Sequence, residues 1–369
     1  MANEDAGALP VAQSLLGTSL HLRKDENVII ETWNHTLPYA AACVAEARRR
    51  GAHPILLLED EVAYWRSIDL APVVGRWSKV GSHEWAALNQ SDAYVFFPGP
   101  ADMPRFRSLP ADHLNQLLAY NADWYRRAKS AHLRGVRSVL GYATEAQAAT
   151  WGVSASVWRS QLVKATVEAD AKAIRGYADR VARKLKKGRV VRVTGANGSD
   201  LTFKLRGRSP VVDDGVVTPE DVRTGHNMTV SPPGAVAVAI DEKSAEGTAI
   251  ANRPTFTSYG RLEGGQWEVH AGRLASAWYT EGQAAFDERF GKAPKGKEVV
   301  SVFSIGLNPS LAPGVPHVED QELGAVTIGM GGNQGFGGSH RVPFFAWIVL
   351  GEATVAVDGA PLCDRGHIL

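Results

Sequence analysis

The sequence has 369 residues, which exceeds the size at which one hydrophobic core usually stops growing, and about 150 residues per domain predicts two domains. Apolar residues make up 44% and charged residues 21%, which excludes a disordered or fibrous chain. The 40 basic and 39 acidic residues give a formal charge of +1, so no global field attracts nucleic acid or an anionic membrane. Two cysteines exclude a disulfide framework and a cysteine-based zinc site.

The opening residues and the apolar runs predict a location. The first ten residues, MANEDAGALP, are acidic where a secretory signal would be basic and apolar. The longest apolar run, at about 342–350, has roughly half the length that a membrane helix needs. We therefore expect a cytoplasmic protein with neither a membrane nor a nucleic acid as partner.

The first third of the sequence alternates strand and helix patterns. Apolar β-branched runs predict strands at 27–31, 54–59 and 92–97, and small apolar residues at helical spacing predict a helix at 39–50. Continuous apolar strands joined by helices favour a parallel sheet covered on both faces. No GxGxxG or GKS/GKT sequence follows these strands, so nucleotide chemistry is not expected. We assign 1–150 to a doubly wound α/β domain.

The rest of the sequence turns from helical to β-rich. Apolar residues recur at helical spacing over 143–151 and 157–185, within a largely helical stretch at 111–187. Beyond it, Gly, Pro, Asn and Asp separate short apolar runs. These runs predict strands at 190–194, 201–205, 235–240, 267–273, 299–305, 325–329 and 342–350. We expect 151–369 to form a C-terminal β-rich α+β domain.

A set of short sequence blocks occurs in an order that is typical of one enzyme family. The most specific block is GANGSDLTF at 195–203, followed by Gly207 and Arg208. The other blocks are KDENV at 24–28, RRGAHP at 49–54, YATEAQA at 142–148, SAEGT at 244–248, IGLNP at 305–309, FGG at 336–338 and VDG at 357–359. Together they resemble the thermophilic-type, leucyl aminopeptidase-like metalloaminopeptidases of the aminopeptidase T and aminopeptidase S family. The resemblance covers nearly the whole chain and implies an aminopeptidase T-like fold.

The resemblance also implies a metal centre whose ligands this sequence does not carry. The family holds two divalent metals in its β-rich domain with two glutamates, two histidines and an aspartate. The matching positions here are Ala235, Val302, Thr327, Phe345 and Trp347. Because such metals need carboxylate and imidazole donors, we predict no metal, no other cofactor and no metalloaminopeptidase mechanism. The family's iron-dependent cleavage of dihydroxypyridine rings needs the same ligands and is not expected either.

The same positions predict a substrate pocket. Side chains of this type would line an apolar cavity where the family holds its metals. Its predicted aromatic members could stack on a planar ring. The predicted pocket residues are Ala235, Val302, Thr327, Phe344, Phe345 and Trp347.

Three residues are candidates for proton transfer, and each has an ordinary alternative. His340 follows a glycine-rich loop at 331–338 whose amides could bind an anion, and a solvated loop histidine is its alternative. Glu268 and His270 lie two apart on a predicted strand and so point to one face, where they could form an acid–base pair or part of a metal site. Ordinary rim residues of a sheet are their alternative. One acidic cluster is interpreted as a charged surface turn: His317, Glu319, Asp320 and Glu322.

Three functions are compatible with this sequence. We expect a hydrolase, or one subunit of a multi-component hydrolase, that acts on a small aromatic molecule, as in the catabolism of aromatic compounds. The first alternative is a non-catalytic partner subunit of a metal-bearing paralogue. The second is a metalloaminopeptidase that releases N-terminal amino acids. The expected partners are a small-molecule substrate and either a second copy of the chain or a second kind of subunit.

Overall fold

The computed structural model describes residues 7–70 and 81–369, and their architecture is mixed α/β, as predicted. Unit 1 combines the chain up to Val167 with Gly215–Pro232, and unit 2 combines Glu168–Asp214 with Pro233–Leu369. The sequence placed a boundary at residue 150, but the structure places the following helix and the segment 215–232 in unit 1. The physical reason is that the chain returns to add a last strand to the sheet of unit 1.

The helices and strands have the following bounds. The helices are α1 (Ala8–Gln13), α2 (Leu37–Arg49), α3 (Glu61–Leu70), α4 (Ser82–Asn89), α5 (Met103–Arg107), α6 (Ala111–Ser130), α7 (Glu145–Trp151), α8 (Ala155–Val167), α9 (Ala171–Lys187), α10 (Pro219–Thr224) and α11 (Gln283–Lys292). The strands of the first half are β1 (Asn27–Trp33), β2 (His53–Glu59), β3 (Ala93–Phe96), β4 (Arg134–Ser138), β5 (Val190–Thr194), β6 (Asp200–Lys204), β7 (Val211–Asp213), β8 (Met228–Ser231), β9 (Ala235–Ala239) and β10 (Glu246–Ile250). The remaining strands are β11 (Thr255–Thr257), β12 (Gly260–Leu262), β13 (Gln266–His270), β14 (Arg273–Trp278), β15 (Val300–Gly306), β16 (Val326–Gly331), β17 (Phe345–Leu350), β18 (Thr354–Val357), β19 (Ala360–Asp364) and β20 (His367–Ile368).

Unit 1 is built on a parallel sheet, sheet A, whose strand order is β2-β1-β3-β4-β8. Its interior strand β1 buries Val28, Ile29 and Ile30, because helices cover a doubly wound sheet on both faces. Helix α2 begins with a proline in its first turn and ends before Gly51, whose φ of 77° favours glycine. Because β1, β3 and β4 are parallel neighbours, their carboxyl ends lie side by side along one edge of sheet A.

Unit 2 is a sandwich of two antiparallel sheets. Sheet B has the order β14-β13-β10-β6-β5-β18-β19-β20, and sheet C has the order β17-β16-β15-β9-β7. The rings of Phe203 on sheet B and Phe303 on sheet C lie 5.2 Å apart in the core between the sheets. Helix α9 adds Ile174, Ala178 and Val181 to the same core.

Side chains alternate along the strands of sheet C, so this sheet has two distinct faces. The inner face contributes Val238, Ile305 and Ile328 to the core. The opposite face, called the outer face here, is where the alternate positions of β9, β15, β16 and β17 lie. Among the described residues, no helix is long and apolar enough to cross a membrane.

Candidate functional site

The outer face of sheet C brings together the five positions that the resemblance matches to metal ligands. Val302 pairs with Gly329, which in turn pairs with Trp347, so these three residues form one row across the sheet. Thr327 and Phe345 lie two residues from members of this row and therefore point to the same side. Ala235 shares that side at the start of β9, where it pairs with Gly306.

Three aromatic rings form a stack on this face. The Phe345 ring lies 5.8 Å from the Trp347 ring and 5.7 Å from the Phe336 ring, with interplanar angles of 25° and 26°. All three side chains are half-buried. Gly329 makes room for this arrangement, because a Cβ at that position would lie 2.7 Å from Cζ of Phe345. The stack offers planar apolar surface of the kind that binds an aromatic ring.

Phe344 lies on the other side of the sheet from this stack. It is 5% exposed, belongs to the core between sheets B and C, and meets the Phe290 ring edge-on at 5.8 Å. Adjacent residues of a strand point to opposite faces, so Phe344 and Phe345 diverge. Phe344 therefore packs in the interior and does not line the outer face.

Glu319 is the buried acid of this face, although the sequence analysis interpreted its segment as a charged surface turn. Its side chain is 1% exposed, and Oε1 accepts hydrogen bonds from the Trp347 Nε1–H at 3.3 Å and the Phe256 amide at 3.2 Å. Burial, with a smaller contribution from the charge of Asp320, raises the pKa of Glu319 to about 8. The surface-turn interpretation was wrong, and Glu319 is a neutral acid at pH 7.

The segment that carries Glu319 lies directly against the sheet. A Cβ on Gly306 would come within 2.0 Å of the Glu322 carbonyl oxygen and 2.7 Å of the Asp320 carbonyl oxygen. Burial also raises the pKa of Asp320 to about 6, and the charge of Asp213 acts in the same direction. Two neighbouring carboxyl groups with raised pKa values thus lie in the segment that packs against the sheet.

Several buried polar atoms on this side have no hydrogen-bond partner among the described residues. Ser304 and Thr327 are each 4% exposed and pair across β15 and β16, yet neither hydroxyl is hydrogen-bonded. The same holds for Oε2 of Glu319 and Oε1 of Gln321. Folded proteins leave few such atoms, so a group of them beside an aromatic stack marks a candidate site for a polar ligand.

His340 follows the glycine-rich loop, and its hydrogen bonds help to hold this loop in place. Its Nε2 lies 2.8 Å from the Gly296 carbonyl oxygen, which makes Nε2 the protonated nitrogen and leaves Nδ1 as the basic one. Its amide donates to Oδ1 of the buried Asn333 at 2.8 Å, and Nδ2 of Asn333 donates to Glu242 at 2.9 Å. Arg208 completes this network with two hydrogen bonds of 2.8 and 2.9 Å to the same carboxylate.

Glu268 and His270 lie on β13, on the exposed face of sheet B. Glu268 accepts a hydrogen bond from the Ser276 hydroxyl at 2.8 Å, and Nδ1 of His270 lies 2.6 Å from Glu246. The core between the two sheets separates this face from the outer face of sheet C. The structure therefore brings the five pocket positions together but does not bring these two residues to them.

Metal-binding side chains do not cluster in the part of the chain that the structure describes. Within 7–70 and 81–369, no three His, Cys, Asp or Glu side chains are placed so that they could hold a metal ion. The outer face instead provides a neutral acid, two hydroxyls and aromatic rings. Sequence reasoning missed the burial of Glu319, because four acidic or basic residues within six normally mark a solvated turn.

Comparison with solved structures identifies two proteins with the same fold. Wild-type AmpT (aminopeptidase T) from Thermus thermophilus is 17% identical, with a TM-score of 0.71 over 98% of this chain and 99% of that one. A 2,5-dihydroxypyridine dioxygenase from Pseudomonas putida is 14% identical, with a TM-score of 0.64 over 99% of this chain and 97% of that one. The sequence matches no protein-family model and no curated protein. These likenesses confirm the aminopeptidase T-like fold.

Proposed function

We propose that the protein is a hydrolase, or one subunit of a multi-component hydrolase, that acts on a small aromatic molecule at the outer face of sheet C. One observation carries the proposal: Phe336, Phe345 and Trp347 form a half-buried aromatic stack beside a buried acid. The indole N–H of Trp347 donates a hydrogen bond to this acid, Glu319. The hydrolase class is supported by likeness in fold to an aminopeptidase. The aromatic substrate is supported by the stack and by likeness to a dioxygenase of a dihydroxypyridine.

The residues at the matching positions do not fit the metal pair of the family. Of Ala235, Val302, Thr327, Phe345 and Trp347, only Thr327 offers an oxygen, and divalent metals need carboxylate or imidazole donors. The ring of Phe345 lies against Gly329, where it fills part of the face. The proposed chemistry is therefore built on the side chains that are present.

Glu319 is suited to act as a general acid. Its raised pKa keeps the proton on the carboxyl group at pH 7, and a carboxylic acid has one O–H donor. In hydrolysis of an aromatic amide or ester, water forms the new C–O bond to the carbonyl carbon. The C–N or C–O bond to the leaving group breaks as the leaving atom takes the Glu319 proton. The proton released from the attacking water restores the acid.

One observation favours a second candidate function, that of a non-catalytic partner subunit of a metal-bearing paralogue. The ring of Phe345 covers Gly329 at the centre of the face, which reduces the space for a substrate. In that case the outer face would be a packed surface rather than a pocket. Purified protein alone would then turn over no aromatic amide or ester, whereas a second subunit would be required for activity.

A pair of tryptophan variants tests the aromatic site. Trp347→Ala should weaken binding of an aromatic amide by about 1 kcal/mol or more, because stacking and apolar contact area are lost. Trp278 is 56% exposed on sheet B, so Trp278→Ala is the matched control and should leave binding unchanged. Ligand titration and a melting curve are measured on both variants. Unchanged binding by a well-folded Trp347→Ala protein would rule out the proposed site.

Metal analysis separates the proposal from a metalloaminopeptidase. The purified protein should contain far less than one zinc, cobalt, manganese or iron per chain, and added metal should not create turnover of leucine amide. Elemental analysis together with this assay measures both. A tightly bound metal whose removal abolishes activity would contradict the proposal and favour the metalloaminopeptidase.

A further inference from the structure

Unit 1 contains a cavity of about 220 Å³ at the carboxyl edge of sheet A. It lies beside the ends of β1, β3 and β4 and is closed by side chains of α6, all within unit 1. In the sheet, β2 and β3 lie on opposite sides of β1, so the order in which the chain adds strands reverses between β1 and β3. Open parallel sheets bind ligands outside their carboxyl ends at this kind of boundary.

The floor of the cavity is a row of three side chains on neighbouring strands. Glu31 on β1 pairs with Phe96 on β3, and Phe96 pairs with Arg137 on β4. Side chains of paired residues point to the same face, and adjacent strands are about 4.8 Å apart, so the Cα atoms of Glu31 and Arg137 are separated by roughly 10 Å. The carboxyl group of Glu31 and the guanidinium group of Arg137 thus lie on either side of Phe96.

Arg137 has no counter-charge within hydrogen-bond distance among the described residues. Its buried Nε–H donates to no described residue, and its guanidinium forms no ion pair among them. Arg134, on the same strand, is paired by contrast with Glu26 at 2.6 Å. A partly buried cation without a partner favours binding of an anion, and the planar fork of arginine matches a carboxylate with two parallel hydrogen bonds.

Below about pH 7, the acid at the other end of the row does not oppose an anion. Glu31 is bonded to the Tyr94 hydroxyl, and burial raises the pKa of Glu31 to about 7. Below this pH its carboxyl group is largely neutral. Glu31 and Tyr94 together can exchange hydrogen bonds with a polar group at the far side of a ligand.

Aromatic side chains form the walls between the two ends. The Tyr94 ring lies 4.5 Å from that of Trp124 and 6.1 Å from that of Phe96. Phe106 and Tyr125 also line the cavity. Pockets for drug-sized ligands usually measure about 300–1,000 Å³, so a cavity of about 220 Å³ suits a single ring.

We propose that this cavity is a binding site for a small aromatic carboxylate, whose carboxylate binds Arg137 and whose ring lies over Phe96. The site is independent of the function proposed for the outer face of sheet C, and its residues belong to unit 1 alone. Benzoate is the probe that contains only the two recognised features, the ring and the carboxylate.

Calorimetric titration of the full-length protein with benzoate tests the proposal. Saturable binding of one benzoate per chain is expected, and Arg137→Gln should weaken it at least tenfold. Arg126→Gln removes the same charge from the exposed side of α6, where Arg126 pairs with Asp123, and should leave the affinity unchanged. The melting temperature of Arg137→Gln should equal or exceed that of the wild type, since the variant removes an unpaired, partly buried cation.

Two further ligands and one further variant complete the test. Benzamide, which lacks the charge, and cyclohexanecarboxylate, which lacks the aromatic ring, should each bind at least tenfold more weakly than benzoate. Binding should persist in Trp347→Ala, which alters only the outer face of sheet C. Equal affinity for benzamide, wild-type affinity in Arg137→Gln, or loss of binding in Trp347→Ala would overturn the proposal.

Discussion

Two regions of the molecule bury a carboxylic acid beside aromatic rings, but the groups next to the acid differ in charge. In unit 1, Glu31 is bonded to Tyr94 and lies in a row with the unpaired cation Arg137. In unit 2, Glu319 is bonded to the Trp347 indole, on the face that also carries the neutral hydroxyl of Ser304. Burial raises the pKa of Glu31 to about 7 and that of Glu319 to about 8, so below pH 7 both acids are largely protonated and the neighbouring group sets the charge that a ligand would need. The first region suits an anion, and the second suits a neutral polar molecule.

The two regions also differ in how closely the chain approaches the sheet. In unit 1, side chains surround a cavity of about 220 Å³. On sheet C, by contrast, the backbone of 320–322 lies against Gly306. Backbone cannot move aside as a side chain can, so sheet C should tolerate small additions less well.

Gly306→Ala should give the largest loss of stability. Its Cβ would lie 2.0 Å from the Glu322 carbonyl oxygen, and relieving this overlap requires a backbone shift that costs about 3 kcal/mol. Gly176 on α9 is the control, because no atom lies within 4 Å of a Cβ there. Gly176→Ala should stabilise the protein by about 0.5–1 kcal/mol. Chemical denaturation measures both, and a Gly306→Ala protein as stable as the wild type would remove the difference in packing.

The pH dependence of stability should reveal both acids, with the larger effect from Glu319. Each pKa is raised on folding, to about 8 for Glu319 and about 7 for Glu31, so the native state holds protons that the unfolded state has released. Stability from these protons is complete below about pH 4.5 and is lost as the pH rises through 7 and 8. Between pH 5 and 8 the loss is about 3 kcal/mol for Glu319 and about 2 kcal/mol for Glu31.

Glu319→Gln and Glu31→Gln remove these protons while keeping the shape of the side chain. Between pH 5 and 8, the free energy of unfolding of each variant should fall less steeply than that of the wild type. Denaturant unfolding at several pH values measures this slope. Glu319→Gln should also lower turnover of an aromatic amide by about a hundredfold if Glu319 is the general acid. A variant with the same pH slope as the wild type would mean that its acid is ionised and solvated.

The sequence predicted the scaffold well where elements are long and apolar. The predicted strands at 27–31, 54–59 and 92–97 correspond to β1, β2 and β3 within two residues at each end. β4 was missed because Arg134-Gly-Val-Arg-Ser has two arginines and a glycine, and so reads as part of the helical stretch. The predicted strand at 267–273 is in fact a hairpin, since Ala271 and Gly272 turn with φ values of 48° and 77°.

The sites were less predictable than the scaffold, for a physical reason. The pocket positions on sheet C could be proposed because a family resemblance identifies them by sequence. Glu319 and Arg137 could not, because burial of a charged residue depends on segments distant in the chain. Glu319 is buried against Phe256 and Trp347, and Arg137 owes its place to pairing with Phe96.

The smallest expected effect comes from two buried serines on the same strand. The Ser301 hydroxyl donates to the Gly331 carbonyl oxygen at 2.7 Å, whereas the Ser304 hydroxyl bonds to no described residue. Ser301→Ala should therefore cost about 1 kcal/mol, since it removes a hydrogen bond and leaves a buried carbonyl oxygen with one partner fewer. Ser304→Ala should change stability by less than about 0.5 kcal/mol or increase it slightly, because an unpaired buried hydroxyl is removed.

The same two variants separate a role in binding from a role in stability. If the Ser304 hydroxyl binds the polar group of the substrate, Ser304→Ala should raise the KM of an aromatic amide about fivefold or more. Ser301→Ala should leave that KM unchanged. Unfolding curves and steady-state kinetics on the two variants measure these effects. An equal loss of stability in both would show that the Ser304 hydroxyl is already bonded in the folded protein.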